Sequence, residues 1–325
     1  MFDVITIGAA VRDIFLVSKN FQSINSPSFV GGQTECVALG SKLEIDNIIF
    51  STGGGATNAA VTFARLGFKT AIVARIGNDD PGAAIVEDLS INRVDTELLR
   101  ISTTDQTAYS TLLTAKNGER SALVDRGASS SFSVSDIPWK KLKSKWLYIT
   151  SLGGNLELLQ KILAQAKNHG TKVALNPGQG ELKRAVEMRE LLSSLSVLIV
   201  NLEEAQLLAE TEDKDAVKLA KRLAYPNLTV IITDGARGAY AQAEGKTWFV
   251  RTSSGIKSVS RTGAGDAFGS GTVAALAKGF KLEDAVRVGT LNAESVIQKF
   301  GAKTGILTKW PNKQRLASIN VKHMK

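Results

Sequence analysis

The sequence predicts an α/β protein with a mostly parallel central sheet and helices on both faces. The first observation is a rhythm in which short runs rich in Val, Ile and Leu alternate with amphipathic helical stretches. Apolar runs of this kind are typical of strands that are buried on both faces of a parallel sheet. The second observation is a pair of glycine clusters, one where a predicted strand ends and one where a predicted helix begins. The third is a pair of segments that leave the rhythm and predict a small separate β-sheet.

The alternation of apolar runs and amphipathic stretches predicts the strands and helices of the central layer. Strands are predicted at residues 4–8, 70–75, 146–150, 172–176, 197–201 and 228–233. Helices are predicted at residues 56–66, 82–92, 156–168, 181–194, 203–210 and 214–224. Gly67 follows the first of these helices and Gly170 stands two residues after the third, and both are normal helix stops.

Residues 14–49 and 105–125 break the rhythm. The second segment predicts a hairpin, because two β-prone runs flank Asn117-Gly118, a dipeptide that suits a type I′ turn. Together the two segments are predicted to form a lid over a binding site. The open edge of such a lid invites pairing with a second copy of the chain, so a lid-mediated homodimer is expected. The expected division is an α/β core of residues 1–13, 50–104 and 126–312, a lid of residues 14–49 and 105–125, and a loosely ordered polar tail of residues 313–325.

The composition excludes several classes of function. The 325 residues are 43% hydrophobic and contain no apolar run as long as a membrane span. One cysteine, Cys36, excludes an internal disulfide, and two histidines, His169 and His323, argue against a His-rich metal site or Ser-His-Asp hydrolysis. The net charge of +9 is spread along the chain, which argues against nucleic acid as the ligand. The N-terminus resembles a strand rather than a signal peptide, so a cytoplasmic enzyme is expected.

The segment Gly263-Ala264-Gly265-Asp266 is the strongest chemical signal. Two glycines leave backbone N–H groups uncovered at the start of a helix, where they and the helix dipole can hold an anion such as a phosphate. A carboxylate beside a held phosphate can take the proton from an attacking hydroxyl. Capping alone also favours Asp in a first helical turn, so the motif needs its context. The sequence contains neither a P-loop nor a Rossmann dinucleotide fingerprint.

Five ordered motifs give that context, and with them the chain resembles the ribokinase-like (PfkB) family of carbohydrate and nucleoside kinases. The segment 53–67 is similar to the first family signature, and the segment 262–271 is similar to the second. Between them, the segment 201–204 resembles an Asn-x-x-Glu motif, and the segment 233–238 resembles a nucleotide loop. Asp13, after the first strand, resembles the family's acceptor of substrate hydroxyls. The resemblance spans roughly residues 3–308.

The resemblance implies an ATP-dependent phosphotransferase acting on the hydroxymethyl group of a small sugar. A nucleoside kinase of the same family and a non-catalytic sugar or nucleotide sensor are the alternatives. Asp266 is the implied general base, and the backbone of Gly263, Ala264, Gly265 and Asp266 is the implied anion hole. The implied substrate-binding residues are Asp13, Gly54, Gly55 and Asn58, and the implied nucleotide-binding residues are Asn201, Thr233, Gly235, Gly238 and Asn292.

The implied cofactors are ATP and Mg²⁺, with Glu204 acting on the metal through water. One position departs from the family pattern. Ser260 stands where the family often has an aspartate that helps to bind a monovalent cation, and Arg261 adds a positive charge beside it. This departure argues against activation by K⁺, although backbone carbonyls can still bind such an ion.

Overall fold

The computed structural model describes residues 1–26, 28, 33–114, 120–130 and 132–324. The strands of these residues are β1 (Phe2–Ile7), β2 (Val11–Val17), β3 (Gln22–Asn25), β4 (Gln33–Cys36), β5 (Asn47–Gly53), β6 (Thr70–Val73), β7 (Arg75–Gly77), β8 (Arg100–Ser102), β9 (Ala108–Thr114), β10 (Arg120–Asp125), β11 (Ser144–Ile149), β12 (Lys172–Leu175), β13 (Val197–Asn201), β14 (Thr229–Thr233), β15 (Ala239–Ala243), β16 (Lys246–Val250) and β17 (Val321–Met324). The helices are α1 (Gly55–Arg65), α2 (Asp80–Ile91), α3 (Gly127–Ser130), α4 (Leu156–Asn168), α5 (Gln179–Leu182), α6 (Ala185–Leu191), α7 (Leu202–Ala209), α8 (Ala216–Arg222), α9 (Ala264–Ala277), α10 (Leu282–Val296) and α11 (Lys313–Ala317).

A large sheet forms the centre of the molecule. In the described part of the chain it has nine strands, in the order β17-β16-β15-β14-β13-β12-β11-β1-β6. Neighbours from β14 to β6 pair in parallel, and the three strands at the other edge are antiparallel. The predicted fold class is therefore confirmed.

Alternation along the strands explains why helices cover both faces. In β1, Ile5 and Ile7 pack into a core with α4 and α7, whereas Val4 packs into a second core with Phe63 of α1 and Phe268 of α9. Side chains of a strand point to opposite faces in turn, so a fully apolar strand needs cover on each side.

The C-terminal segment is not a loose tail, so that expectation is wrong. Helix α11 begins at an Asn312 cap, and β17 then pairs with β16 and extends the large sheet. The polar residues of β17 lie on an edge strand, where water reaches them. A polar edge strand and a disordered tail have the same composition, and only the pairing partner distinguishes them.

The predicted helix at 181–194 is divided into α5 and α6. The carboxylate of Glu181 is buried and accepts hydrogen bonds from the backbone N–H groups of Gly178, Leu152 and Gly154, all at 2.8 Å. These bonds tie α5 to the loop after β11, and the chain then turns before α6 begins.

A second sheet lies outside the central layer, in the order β10-β9-β2-β5. The β9–β10 and β2–β5 pairs are antiparallel, and the β2–β9 pair is parallel. Both predicted excursions supply its strands, while β3 and β4 form a separate two-stranded ribbon. The strands of the second sheet reach Val11 and Gly53, a few residues beyond the predicted bounds. The predicted turn at Asn117-Gly118 and the segment Gly31-Gly32 lie outside the described residues.

Candidate active site

Two helix starts meet at the candidate site. Helix α1 follows Gly54 and helix α9 follows Gly263, and both glycines adopt positive φ angles, of 94° and 78°. Neither helix start has a side-chain cap. The Nδ2 of Asn58, in α1, donates a 2.8 Å hydrogen bond to Oδ2 of Asp266, in the first turn of α9. The fold thus joins residues that are 208 positions apart in the chain.

Asp266 is partly buried at this junction. Burial raises the pKa of its carboxyl, while the Asn58 hydrogen bond and the positive charge of Lys303 lower it. A carboxylate with a raised pKa is a better proton acceptor than a solvated aspartate, which suits a general base.

The backbone around Asp266 is open to a ligand. A side chain at Gly265 would meet no atom within 4 Å. Among the described residues, the N–H groups of Gly265 and Asp266 donate to no backbone carbonyl, whereas Ala264 N–H makes a long 3.3 Å bond to Arg261 O. An N-terminal helix turn with free N–H groups attracts anions.

Other glycines of the second signature serve packing. A Cβ at Gly263 would overlap Ala302, and a Cβ at Gly269 would lie 2.7 Å from the hydroxyl oxygen of Tyr148. These glycines allow α9 to lie close to the sheet and to the loop after α10.

Asp13 lies in β2 of the second sheet, and its carboxyl interacts electrostatically with Asp266. Its register partners are Ser51 in β5 and Ser110 in β9, and only 6% of its surface is exposed. Burial raises its pKa to about 6, while Lys303 and a hydrogen bond from Ser110 lower it. A Cβ at Gly53 would collide with the carboxylate, so this position needs glycine if Asp13 is to lie against the backbone.

Gly54 and Gly55 also make close approaches within the protein. A Cβ at Gly54 would collide with the carbonyl oxygen of Ala9, and a Cβ at Gly55 would lie 2.9 Å from Cγ2 of Thr150. The first glycine cluster therefore packs the start of α1 against the loop after β1 and the end of β11. The predicted substrate contacts of these two glycines are not tested by this geometry.

The predicted nucleotide residues come together at the carboxyl ends of two parallel strands. Asn201 ends β13 and is the register partner of Thr233, which ends β14. Asn201 and Glu204 form a capping box at the start of α7, with two 2.8 Å bonds. Burial raises the pKa of Glu204, the hydrogen bond from Asn201 N lowers it, and the charges of Glu203 and Asp266 raise it further.

The turn after β14 supplies two glycines with different surroundings. Gly235 has a φ of 54° and open space where a side chain would be. Gly238 has a φ of 128°, and a Cβ there would collide with the carbonyl oxygen of Val250. Gly235 is thus free to approach a ligand, whereas Gly238 is required by the adjacent strand.

Asn292 does not share this location. Its side chain is fully buried, and its Nδ2 donates to Ala267 O at 2.8 Å while its Oδ1 accepts from Leu307 N at 2.9 Å. Both amide atoms are engaged within the protein. Asn292 therefore links α9 and α10 to the following loop, and the structure gives it no atom to offer a nucleotide.

Sequence reasoning missed one charged residue of the site. Lys303 is 4% exposed, and its Nζ donates to Thr52 Oγ1 at 2.6 Å and to Asp88 Oδ2 at 2.9 Å. No motif marks the segment 301–304, which only resembles the end of a P-loop and lacks the upstream glycine of that motif. Burial of a lysine beside the end of β5 has no local sequence signal.

Ser260 is also buried, and its hydroxyl bonds within its own turn. Ser260 Oγ donates to Thr262 Oγ1 at 3.2 Å and accepts from Thr262 N at 3.3 Å. The described residues contain no cluster of three or more His, Cys, Asp and Glu side chains that could hold a metal, and none of their helices is long and apolar enough to cross a bilayer.

The chain is similar to known carbohydrate and nucleoside kinases. A model of the pfkB family of carbohydrate kinases matches residues 2–309. A ribokinase of Haemophilus influenzae is 31% identical over 280 residues, which cover 83% of this chain and 89% of the relative. A cytidine kinase of Thermococcus kodakarensis is 29% identical over 275 residues, covering 80% and 95%.

Solved structures share the fold. A ribokinase from Cryptococcus neoformans in complex with ADP superposes with a TM-score of 0.75 at 21% identity, covering 97% of this chain and 99% of the other. An adenosine kinase from Sinorhizobium meliloti has a TM-score of 0.75 at 23% identity, covering 94% and 97%.

These matches show that the protein is a phosphotransferase with an alcohol group as acceptor. More particularly, the chain belongs to the pfkB family of carbohydrate kinases. Use of ATP follows from that membership, and the acceptor belongs to the sugars or nucleosides.

Proposed function

We propose that this protein transfers the γ-phosphoryl group of ATP to the hydroxymethyl group of a small sugar. The observation that carries the proposal is the position of Asp266, a partly buried carboxylate in the same helix turn as the open N–H groups of Gly265 and Asp266. A base and an anion site within one turn are what an in-line transfer to a hydroxyl needs.

In this mechanism Asp266 accepts the proton of the attacking hydroxyl. Asn58 holds the carboxylate in place through its 2.8 Å bond. The N–H groups at the start of α9 donate to the charge that develops on the transferring group, and each such donor is worth roughly 3–4 kcal/mol where it is preorganised. Asp13 accepts hydrogen bonds from other hydroxyls of the sugar and thereby fixes its orientation.

Magnesium fits the donor set only through water and phosphate. Glu204 offers a carboxylate near Asp266, but its Oε2 already accepts from Asn201 N at 2.8 Å. Bound Mg²⁺ would neutralise phosphate charge, and a cation that keeps most of its waters needs few protein ligands. Glu204 would hold one of those waters.

The names of the relatives support both a sugar and a nucleoside. A ribokinase and a cytidine kinase match at similar identity. Asp13 suits either acceptor, because a free pentose and the ribose of a nucleoside both present vicinal hydroxyls. We place a sugar first and a nucleoside as the alternative.

The test is ATP consumption by the purified protein with a panel of pentoses, hexoses and nucleosides, with Asp266→Asn as the matched control. The proposal expects one sugar to stimulate ATP consumption in the wild-type protein far more than in the variant. Stimulation by a nucleoside alone would replace the substrate class. Tight sugar binding without ATP consumption would support a sensor.

We further propose that the lid forms a homodimer. In the part of the chain that the structure describes, the outer face of the second sheet exposes three large apolar side chains, those of Ile48, Phe50 and Leu123, which are 50–61% exposed. Register pairing places Phe50 opposite Ile14 and Leu123 opposite Thr111 on one face. A soluble monomer rarely leaves such a patch uncovered. Sedimentation of the wild-type chain and of Phe50→Asp tests the proposal, since a dimer should dissociate in the variant, whereas a wild-type monomer would disprove it.

A further inference from the structure

Lys303 is a buried cation that the reaction described above does not use. Its ammonium group is bonded to Thr52 and Asp88, and its side chain is 5% exposed. Burial lowers its pKa, and the charges of Asp88 and Asp13 oppose that shift. Burying a charged group costs solvation free energy. Because little water surrounds it, the charge also interacts strongly with neighbouring ionisable groups.

Asp13 lies on the other side of the same strand end. Lys303 contacts Thr52, and the next residue, Gly53, is the one against which the Asp13 carboxylate packs. The loop that carries Lys303 follows this strand closely, because a Cβ at Gly301 would lie 2.8 Å from Ser51 Oγ. The ring of Phe300 also packs edge-on against Phe15, two residues after Asp13, with centroids 6.1 Å apart.

We propose that Lys303 is a positioning residue that keeps Asp13 ionised for substrate hydroxyls, and that Asp88 limits how much of the lysine's charge reaches Asp13. The proposal concerns sugar binding and therefore rests on the proposed function. Lys303 and Asp88 form one ion pair. In the proposal the lysine favours the ionised form of Asp13, and Asp88 opposes that effect.

The other charged groups near Asp13 have a weaker effect on its ionisation than Lys303 has, or an opposite one. Asp13 also faces Asp266, which is negative and raises its pKa, and Arg12, which has a weaker effect than Lys303. The guanidinium of Arg12 lies 5.5 Å from the centre of the Phe50 ring and donates to Ser51 O. Lys303 itself faces Asp88, Asp13 and Arg65. Among these groups, Lys303 is the cation with the largest effect on Asp13.

Coulomb's law gives the direction in which each substitution should shift the titration midpoint of Asp13. Lys303→Met removes the cation, so Asp13 should hold its proton to a higher pH. Asp88→Asn removes the anion that neutralises the lysine, so Asp13 should lose its proton at a lower pH. An opposite charge nearby typically shifts a carboxyl pKa by about 1–3 units. A network that only supports the fold would move both variants in the same direction or not at all.

The direct readout is the titration of the Asp13 carboxyl in the ligand-free protein, followed by carbon-13 NMR and assigned with Asp13→Asn. We expect the midpoint to rise by about one unit in Lys303→Met and to fall in Asp88→Asn, as the removal of one charge predicts. Thr52→Val disturbs the same hydrogen bonds without a change of charge and should leave the midpoint in place. Lys303→Arg keeps the charge and should stay close to the wild type.

The second readout is the acidic limb of kcat/KM for the sugar, which should shift with the Asp13 midpoint in each variant. Equal shifts in Lys303→Met and Asp88→Asn, or no shift in either, would overturn the proposal. If no sugar is phosphorylated, the proposed function fails, and the NMR midpoints still decide the role of Lys303. If Lys303→Met does not fold, the other two variants decide the role of Lys303. The proposal then requires a lower Asp13 midpoint in Asp88→Asn and an unchanged midpoint in Thr52→Val.

Discussion

The starts of α1 and α9 are alike in backbone and different in surroundings. Each follows a glycine with positive φ, and each lacks a side-chain cap. At α1, side chains at Gly53, Gly54 and Gly55 would all collide with other parts of the protein. At α9, a side chain at Gly265 would enter open space.

The difference separates two reasons for glycine in similar motifs. The first cluster lets the protein pack against itself and so fixes the positions of Asp13 and Asn58. In the second cluster, Gly263 meets the same packing requirement, and Gly265 leaves room for something outside the chain. At Gly265, open space occurs together with free backbone N–H groups, and this combination leaves room for a ligand.

The largest expected effect comes from the base at α9. Asp266→Asn keeps the shape of the side chain and removes proton acceptance, so kcat should fall by about 10²–10⁴ with nucleotide binding retained. Steady-state kinetics and calorimetric titration with ATP measure both. A kcat within a few-fold of the wild type would remove Asp266 from this role.

The same substitution at the two helix starts tests the comparison most directly. Gly54→Val should lower the thermal stability strongly, because it combines a strained φ with a collision against the Ala9 carbonyl. Gly265→Val should melt near the wild-type temperature and lose nucleotide affinity and turnover together, because the branched side chain fills the anion site. Thermal melts and ATP titration of both variants provide the comparison, and normal ATP affinity in folded Gly265→Val would contradict it.

The burial of Asp13 beside the start of α1 should lower the free energy of unfolding at high pH. The pKa of Asp13 is raised to about 6, so the charged form is disfavoured in the folded protein. The stability contributed by the protonated form is complete below the unfolded pKa near 4 and is lost as the pH rises through about 6. Asp13→Asn should therefore be more stable than the wild type at pH 8, by up to roughly 3 kcal/mol, and should lose this advantage below about pH 3.8, the unfolded pKa.

Denaturant unfolding at pH 8 and below about pH 3.8 measures this difference, and KM for the sugar should rise in the same variant. A variant that is less stable than the wild type at pH 8 would show that the ionised carboxylate is well solvated in the folded state.

The smallest expected effect concerns the loop before α9. Ser260 has no charge and bonds within its own turn, so replacing K⁺ by Na⁺ or a bulky organic cation at constant ionic strength should change kcat little. Strong activation by K⁺ would show that backbone oxygens near this turn bind the ion. The wild-type protein is the only material needed.

Much of the fold could be predicted because its signals are local. Val197–Asn201 was predicted at the bounds that the structure gives, since an apolar β-branched run needs no distant partner to be recognised. Other features depend on groups far away in the chain. These are the limits of α5, the pairing of β17 with β16 and the hydrogen bonds of the Asn292 side chain. No window of sequence contains those contacts.

The sequence by itself determined the class of the sheet, the two glycine-rich helix starts and the family, because backbone freedom and hydrophobic period are local properties of the chain. The tertiary structure decided that Asn58 holds Asp266, that Asn292 is a structural link and that Lys303 lies beside the site. The physical reason is that burial and charge proximity are set by the whole packed molecule. A lysine at position 303 has the same local sequence whether water surrounds it or two carboxylates and a strand end enclose it.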